Sequence, residues 1–431
     1  MSTQSLAPAR RESLRSIRTL TLQLFDWATS DEVLRSEPMP GFRPLLWHLA
    51  HIGVYQNYWV LQRCAGQPSI NPTYDVHFDP IKTPREEAKV LPARAEIEAY
   101  LAKTLTLVER FLDPADLDAP ANNGSLTPGY ALDLVLEHEL QHQETVAFVL
   151  QALPRASKKS GPAPLRGRRT APAAEILVPA VRAQIGGAAG AGFVYDNELP
   201  RHELDVASFF VDRDVTTNGE YAEFVEASGY TNRSLWSDEG WAWKESTAVV
   251  APLYWSGPPW KERGFFAETE LRDDAAVTGI SCFEAEAYAA FRGKRLPSES
   301  EWEVAAAWDP AHGVMRRYPW GDDPVAPGLG GGRTWGTAPV GSHHQHMSAL
   351  GLNDVIGNVW QWTSSPFRGY SGFVPYPYPD YSEAWFDGDH RVSRGGSWFT
   401  DRSLARTSFR NFYRRRFRQA FLGIRCARDA R

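Results

Sequence analysis

The chain is poor in the features that most quickly narrow a function. It has only three cysteines in 431 residues, Cys64, Cys282 and Cys426. They are odd in number and far apart, which argues against a disulfide framework and fits a reducing compartment. All three read as buried or free thiols. No apolar run reaches the roughly 18 residues of a spanning helix, and the opening stretch MSTQSLAPARRESLRS lacks the apolar core of a secretion signal. The expectation is a soluble, cytoplasmic protein with no membrane partner. An excess of charge of one sign is missing too. Lys and Arg number 46 against 52 Asp and Glu, a formal net charge of −6, which gives no electrostatic case for nucleic acid. No tandem repeat of about 20 to 50 residues is found, so solenoid architectures are excluded.

What is present divides the chain in two, as its length requires. Four blocks with helical periodicity, residues 9–29, 43–66, 93–113 and 128–152, predict a four-helix bundle over 9–153. Residues 154–174 carry six Lys or Arg with several Pro, Gly and Ala and no acid, which reads as an exposed linker. From 175 to 431 the pattern changes to short strands, frequent Gly and Pro and long loops, with helices near 284–292 and 299–307. This half is α+β with much irregular structure. Most of the sixteen tryptophans fall in it, as core filling or as pocket lining.

Within the bundle, EHELQHQE at 137–144 has two incompatible readings. As His138-Glu139-x-x-His142 it is the helical signature of zinc proteases, with two metal-binding histidines and a glutamate base. A further histidine or glutamate in a recognisable frame should then follow, and the stretch between His142 and the linker holds no His and no Gly-turn-His. Alternatively His138 and His142, one helical turn apart, are two of three ligands, and Glu139 is an ordinary helix residue. The third ligand is sought upstream in WHLAHI, which holds His48 and His51. His51 shares a stripe with Trp47, Val54, Tyr55 and Tyr58, which makes it the better inward-facing ligand, although periodicity leaves His48 open. A second stripe runs through Ala131, Leu134, His138, His142, Thr145 and Val149. Three neutral nitrogens with open positions suit zinc or ferrous iron, and spacing does not choose between them. The other cluster, His343, His344 and His346, lies among loop residues and reads as surface or turn.

An ordered set of motifs follows the linker: VTTNGEYAEFV (215–225), RLPSESEWEVAAA (295–307), YPWGDD (318–323), GLNDVIGNVWQWTSSPF (351–367), RVSRGGSW (391–398) and FLGIRCAR (421–428). Together they resemble the formylglycine-generating-enzyme or sulfatase-modifying-factor domain, a C-type-lectin-like fold. In physical terms they are structural: Asn and Asp close turns, glycines take positive φ, and Trp360 and Trp362 fill the core. Cys282 and Cys426 do not match the cysteine pair of a formylglycine generator, so that activity is not expected. With a DinB-like four-helix domain in front, the chain from 9 to 428 resembles the ergothioneine sulfoxide synthase family.

That resemblance implies a non-heme Fe(II) enzyme with O2 as co-substrate, which joins a sulfur donor to imidazole C2 of hercynine, the trimethylated betaine of histidine. Carried over, the iron ligands fall on His51, His138 and His142. Gln141 and the pair Arg410-Asn411 match positions near the betaine, and Phe412 supplies a ring for its trimethylammonium group. The resemblance places a catalytic tyrosine at Tyr370, with Tyr376 and Tyr378 as rivals. Relatives that use γ-glutamylcysteine carry an aspartate two residues after the Asn and an arginine four further on, where this chain has Tyr413 and Phe417. Arg85 matches one donor-binding arginine, but its companion three residues on is Ala88. Rings in place of charges imply a donor with fewer charges than a dipeptide. A selenosugar, as in the selenoneine synthase branch, is therefore expected, with a selenoxide- or sulfoxide-type product. Alternatives are an ergothioneine-type synthase using cysteine or γ-glutamylcysteine, and a zinc-dependent DinB-type thiol transferase.

Overall fold

The computed structural model describes residues 6–430 except 40, 86–89, 114, 122–125, 169–172, 189, 191, 324–334, 344 and 345. The periodic blocks form helices. They are α1 (Leu6–Phe25), α2 (Asp31–Arg35), α3 (Leu45–Gln56), α4 (Pro72–His77), α5 (Arg94–Leu112) and α6 (Pro128–Ala152). The long four, with the shorter two between them, make one unit in which α3 packs on α5 and α6 and α1 packs on both of those. Every residue of α3 is buried, as expected of a helix whose sequence is largely apolar all round. Gly53 permits this, because a Cβ there would stand 3.0 Å from the Tyr100 ring. At the start of α6, Thr127 accepts a hydrogen bond from the Tyr130 amide at 3.2 Å, and Pro128 occupies the first turn.

The second predicted block does not remain α-helical. Beyond Gln56 the chain continues as a π-helix over Asn57–Cys64, where the Ala65 amide reaches back to the Val60 carbonyl. Each such i→i+5 bond encloses one residue more than an α-turn and shifts the phase of all that follows. The expected stripe therefore holds as far as Tyr55 and then fails. Tyr58 is 37% exposed, while Asn57 and Trp59 turn inward.

The chain divides into compact units at Gly161 and Pro162, inside the basic segment 154–174. Before the division, the Lys159 amide donates to the Trp27 carbonyl. After it, the Leu165 carbonyl accepts from Arg272.

The second unit is built on two principal sheets. In one, Phe209–Asp212 pairs antiparallel with both Glu175–Val178 and Ala427–Asp429, which ties the start of the unit to its end. The other has the order Asn411–Arg414, His390–Arg394, Trp360–Pro366, Leu422–Gly423. Helices Cys282–Phe291 and Glu299–Ala307 each open on a capping box, Ser281 with Glu284 and Ser298 with Glu301. Trp360 and Trp362 are fully buried. The NDVIGN segment does more than close a turn. Asp354 accepts from the Gly341 amide at 2.6 Å, and Asn358 exchanges hydrogen bonds with the Ala338 backbone in both directions. Gly395 (φ +99°) lies so close to the Val355 carbonyl that a Cβ would come within 2.3 Å.

Buried ion pairs supply much of what regular structure does not. Arg394 meets Glu303 at 2.5 Å, and Arg406 grips Glu198 through Nε and Nη2. Arg425 donates to Gln361 and to the carbonyls of Asp212, Arg213 and Asn353. Among the described residues, no helix is long and apolar enough to cross a membrane.

Candidate metal centre

His51 on α3 faces His138 and His142 on α6. One ligand nitrogen from each of the three lies within 4.8 Å of the other two. His51 Nε2 is 3.2 Å from His138 Nε2, and the His138 and His142 ring centres are 4.5 Å apart, as one helical turn requires. The tautomer of His51 is set from outside. Its Nδ1 lies 2.7 Å from the Phe78 carbonyl, which can only accept. The proton therefore sits on Nδ1, and Nε2 presents a lone pair.

Aromatic stacking holds two of the rings. Trp47 lies parallel to His51 at 4.8 Å with the Arg43 guanidinium 4.1 Å from its own centre, and Tyr55 lies parallel to His138 at 3.7 Å. Burial pushes the His51 pKa down to about 4 and those of His138 and His142 well below the ordinary imidazole range. All three are neutral near pH 7, the form that binds metal. The donor set thus fits a first-row divalent ion with coordination positions left open.

His48, the alternative that periodicity left open, is not in this set. Its Nδ1 is 3.3 Å from His142 Nδ1, and burial lowers its pKa to about 3. Glu139 is not the ordinary helix residue expected from the sequence. It is 3% exposed and accepts from Arg18 through both oxygens. Gln141 is half-buried on the same helix.

The other sequence-derived positions fall into two sets, one in each unit. Arg85, in the first, is exposed and donates to the Gly41 carbonyl at 2.7 Å, while Ala88 lies outside the described residues. In the second, Tyr370 is packed between Arg394, which sequence reasoning missed, and Arg410, which it placed near the betaine. Its hydroxyl accepts from Arg394 at 3.3 Å, and its ring lies under the Arg410 guanidinium at 4.3 Å. Burial raises its pKa, and the nearby Glu299 carboxylate adds to the shift. Arg410 itself is fully engaged, by both oxygens of Glu299 and by the carbonyls of Asn197 and Arg368. Asn411 donates to the Tyr413 hydroxyl at 3.2 Å. Phe412 stacks on Phe367 at 3.9 Å, and Tyr413 lies parallel to Phe417, 5.1 Å apart with 4° between planes.

Tyr376 and Tyr378 belong to a loop pinned by Asp196, which accepts from the Ser382 hydroxyl at 2.5 Å and from the Tyr376 amide at 3.2 Å. The one available signal for the carboxylates that meet Arg394 and Arg410 is the acid-rich SESEWE segment, which places Glu299, Glu301 and Glu303 in one short helix. His346, expected at the surface or in a turn, lies in a turn, its amide donating to the His343 carbonyl, but is fully buried against Trp320 of the YPWGDD segment and His343. His344 lies outside the described residues.

Comparison with known proteins matches both units. Residues 162–430 match the Sulfatase-modifying factor enzyme 1-like domain, and residues 13–146 match the DinB superfamily. A protein named hercynine oxygenase from Mycolicibacterium thermoresistibile is 38% identical over 442 residues, covering 98% of this chain and 96% of the relative. Its namesake from Mycobacterium tuberculosis is 37% identical, covering 96% of this chain and 97% of the relative. The formylglycine-generating enzyme of Streptomyces coelicolor is 31% identical and covers 64% of this chain and 95% of its own length. Similarity to the first two extends over both units and includes the helices that carry the three histidines, so the chain belongs to the hercynine oxygenase family, the ergothioneine sulfoxide synthases.

Proposed function

We propose that the chain is an iron- and oxygen-dependent synthase that bonds imidazole C2 of hercynine to the selenium or sulfur of a small, sugar-type donor. The observation that carries this reading is the set of three neutral imidazoles converging within 4.8 Å in a chain of this family. His51, His138 and His142 would hold a ferrous ion, which would supply the activation of O2. The C2–H bond and the donor's Se–H or S–H bond break, and the carbon–chalcogen bond forms. One oxygen atom ends on the chalcogen as a selenoxide or sulfoxide, and the other leaves as water with both hydrogens.

In this reading Tyr370 is the proton donor. Its hydroxyl accepts from Arg394, which can only donate, so the phenolic hydrogen remains to be given. The raised pKa keeps it protonated. Gln141 and Asn411 offer amide groups to the betaine, and the half-buried Phe412 ring offers its face to the trimethylammonium group. The parallel rings of Tyr413 and Phe417 form an uncharged platform suited to a sugar, with Arg85 as the remaining cation for the donor.

The test is an Fe(II) assay in air with hercynine and, separately, a selenosugar, cysteine and γ-glutamylcysteine, read by product mass. The selenosugar should give the highest kcat/KM, and no donor should give product without O2. Product from the amino-acid thiols alone would reassign the chain to ergothioneine-type synthesis. Turnover under nitrogen would favour zinc-dependent thiol transfer.

A further inference from the structure

The proposed function leaves Glu139, the middle glutamate of EHELQHQE, idle. Glu139 neighbours a ligand in sequence, yet its carboxylate is committed to α1. Oε1 accepts from Arg18 Nε at 2.9 Å and from the Thr21 hydroxyl at 2.6 Å, and Oε2 accepts from Arg18 Nη2 at 3.0 Å. Arg18, 5% exposed, also donates to the side-chain carbonyl of Gln56, on the helix of His51, and to the Leu101 carbonyl on α5. Gln143, next to His142, donates to the Ile17 carbonyl and the Thr21 hydroxyl, both on α1. Both ligand helices are thus tied to one helix that carries no ligand, and on α6 the ties come from residues adjacent to His138 and His142.

The kind of contact matters. Apolar packing is non-directional, whereas a guanidinium fork closing on a carboxylate fixes distance and plane together. A rotation of α6 by about 20° would carry an imidazole nitrogen by about 2–3 Å, while metal–nitrogen bonds accept deviations of about 0.2 Å. We propose that Glu139, acting with Arg18, is a positioning residue that sets the rotation of α6 and so the approach of His138 and His142 to His51. This rests on the reading of those histidines as a metal centre.

The experiment is a Co(II) titration of the full-length apoprotein followed by its d–d absorption, with circular dichroism and melting recorded on the same samples. The double variant Arg18→Met/Glu139→Leu removes both charges together, so no unpaired ion is left in the interior. Glu139→Asp keeps the charge on a shorter stem. The double variant should retain its helical signal and melt close to the wild type, yet bind Co(II) about tenfold or more weakly, with altered band intensities. Glu139→Asp should recover part of that affinity. Wild-type affinity and spectrum in the folded double variant would overturn the proposal, as would a loss of affinity that only tracks loss of helix. Absence of Co(II) bands from the wild-type chain would overturn the metal-centre reading itself, and this proposal with it.

Discussion

The two units hold their candidate functional groups by opposite means. In the helical unit the candidate ligands are neutral imidazoles braced by aromatic rings and a carbonyl, with the Arg18–Glu139 pair set behind them. In the second unit nearly every polar group of interest is braced by charge. Arg394 lies on Glu303, Arg410 on Glu299 and Arg406 on Glu198, all of them buried except the partly buried Glu299. Periodicity already fixes which helical side chains share a face, and a single charge pair stands behind them. A loop-rich fold has no such lattice, and paired charges with defined geometry take over that task. The lesson is one of failure modes. The first unit should lose chemistry while keeping its fold, and the second should lose its fold when a single partner is removed.

The largest effect expected from this contrast is in the first unit. On the proposed reading of the three histidines as an iron centre, His138→Ala should lower bound iron to background and turnover by about 10³-fold or more, because a Lewis-acid centre contributes several kcal/mol. The helical signal should remain. Turnover near the wild-type rate in an iron-depleted variant would break the comparison.

Next comes Arg406→Met, which strands the fully buried Glu198 carboxylate and should destabilise the second unit by about 3–5 kcal/mol. Urea unfolding followed by tryptophan fluorescence reads that unit selectively, because all tryptophans except Trp27, Trp47 and Trp59 lie in it. A loss below about 1 kcal/mol would mean that the charges are not what holds the loops.

Asp196 offers a finer probe. Burial raises its pKa from the ordinary 3.8 to about 6, against the opposing hydrogen bonds from Ser382 and the Tyr376 amide. Between about pH 4 and 6 the folded chain keeps a proton that the unfolded chain has released. Stability therefore falls as pH rises through that window, by about 1–3 kcal/mol for this group. Asp196→Asn should flatten that part of the curve, measured as unfolding midpoints at pH 4.5 and 7. An unchanged slope would remove Asp196 from the account. The smallest effect is expected from Tyr58→Ala, within about 0.5 kcal/mol, because the side chain is on the surface. A larger loss would restore it to the interior stripe.

Legibility in the sequence follows the same division. The positions of His51, His138 and His142 could be read because they ride on helices, where spacing alone says which way a side chain points. The outward turn of Tyr58 is not legible in the sequence, because hydrogen-bond pattern, not residue type, shifts the phase after Gln56. Glu139 looked ordinary because its partner Arg18 lies 121 residues away. The second unit's fold announced itself through motifs, but the pairing of Arg394 with Glu303, 91 residues apart, could not be read from either motif alone. The burial of His346 was equally hidden, since loop composition says nothing about what folds over the loop.

The π-helical stretch also bears on how this protein can vary. Inserting or deleting a residue in an α-helix turns everything downstream by about 100°, which would scatter a site assembled from two helices. Over Asn57–Cys64 the chain already carries surplus length after the last residue that braces a ligand. A lost residue there can be absorbed by tightening π-turns into α-turns, with His51 and Tyr55 left in place. Along the helix that carries His51, this is where chain length is negotiable, so gaps between related sequences belong there and not between Trp47 and Tyr55.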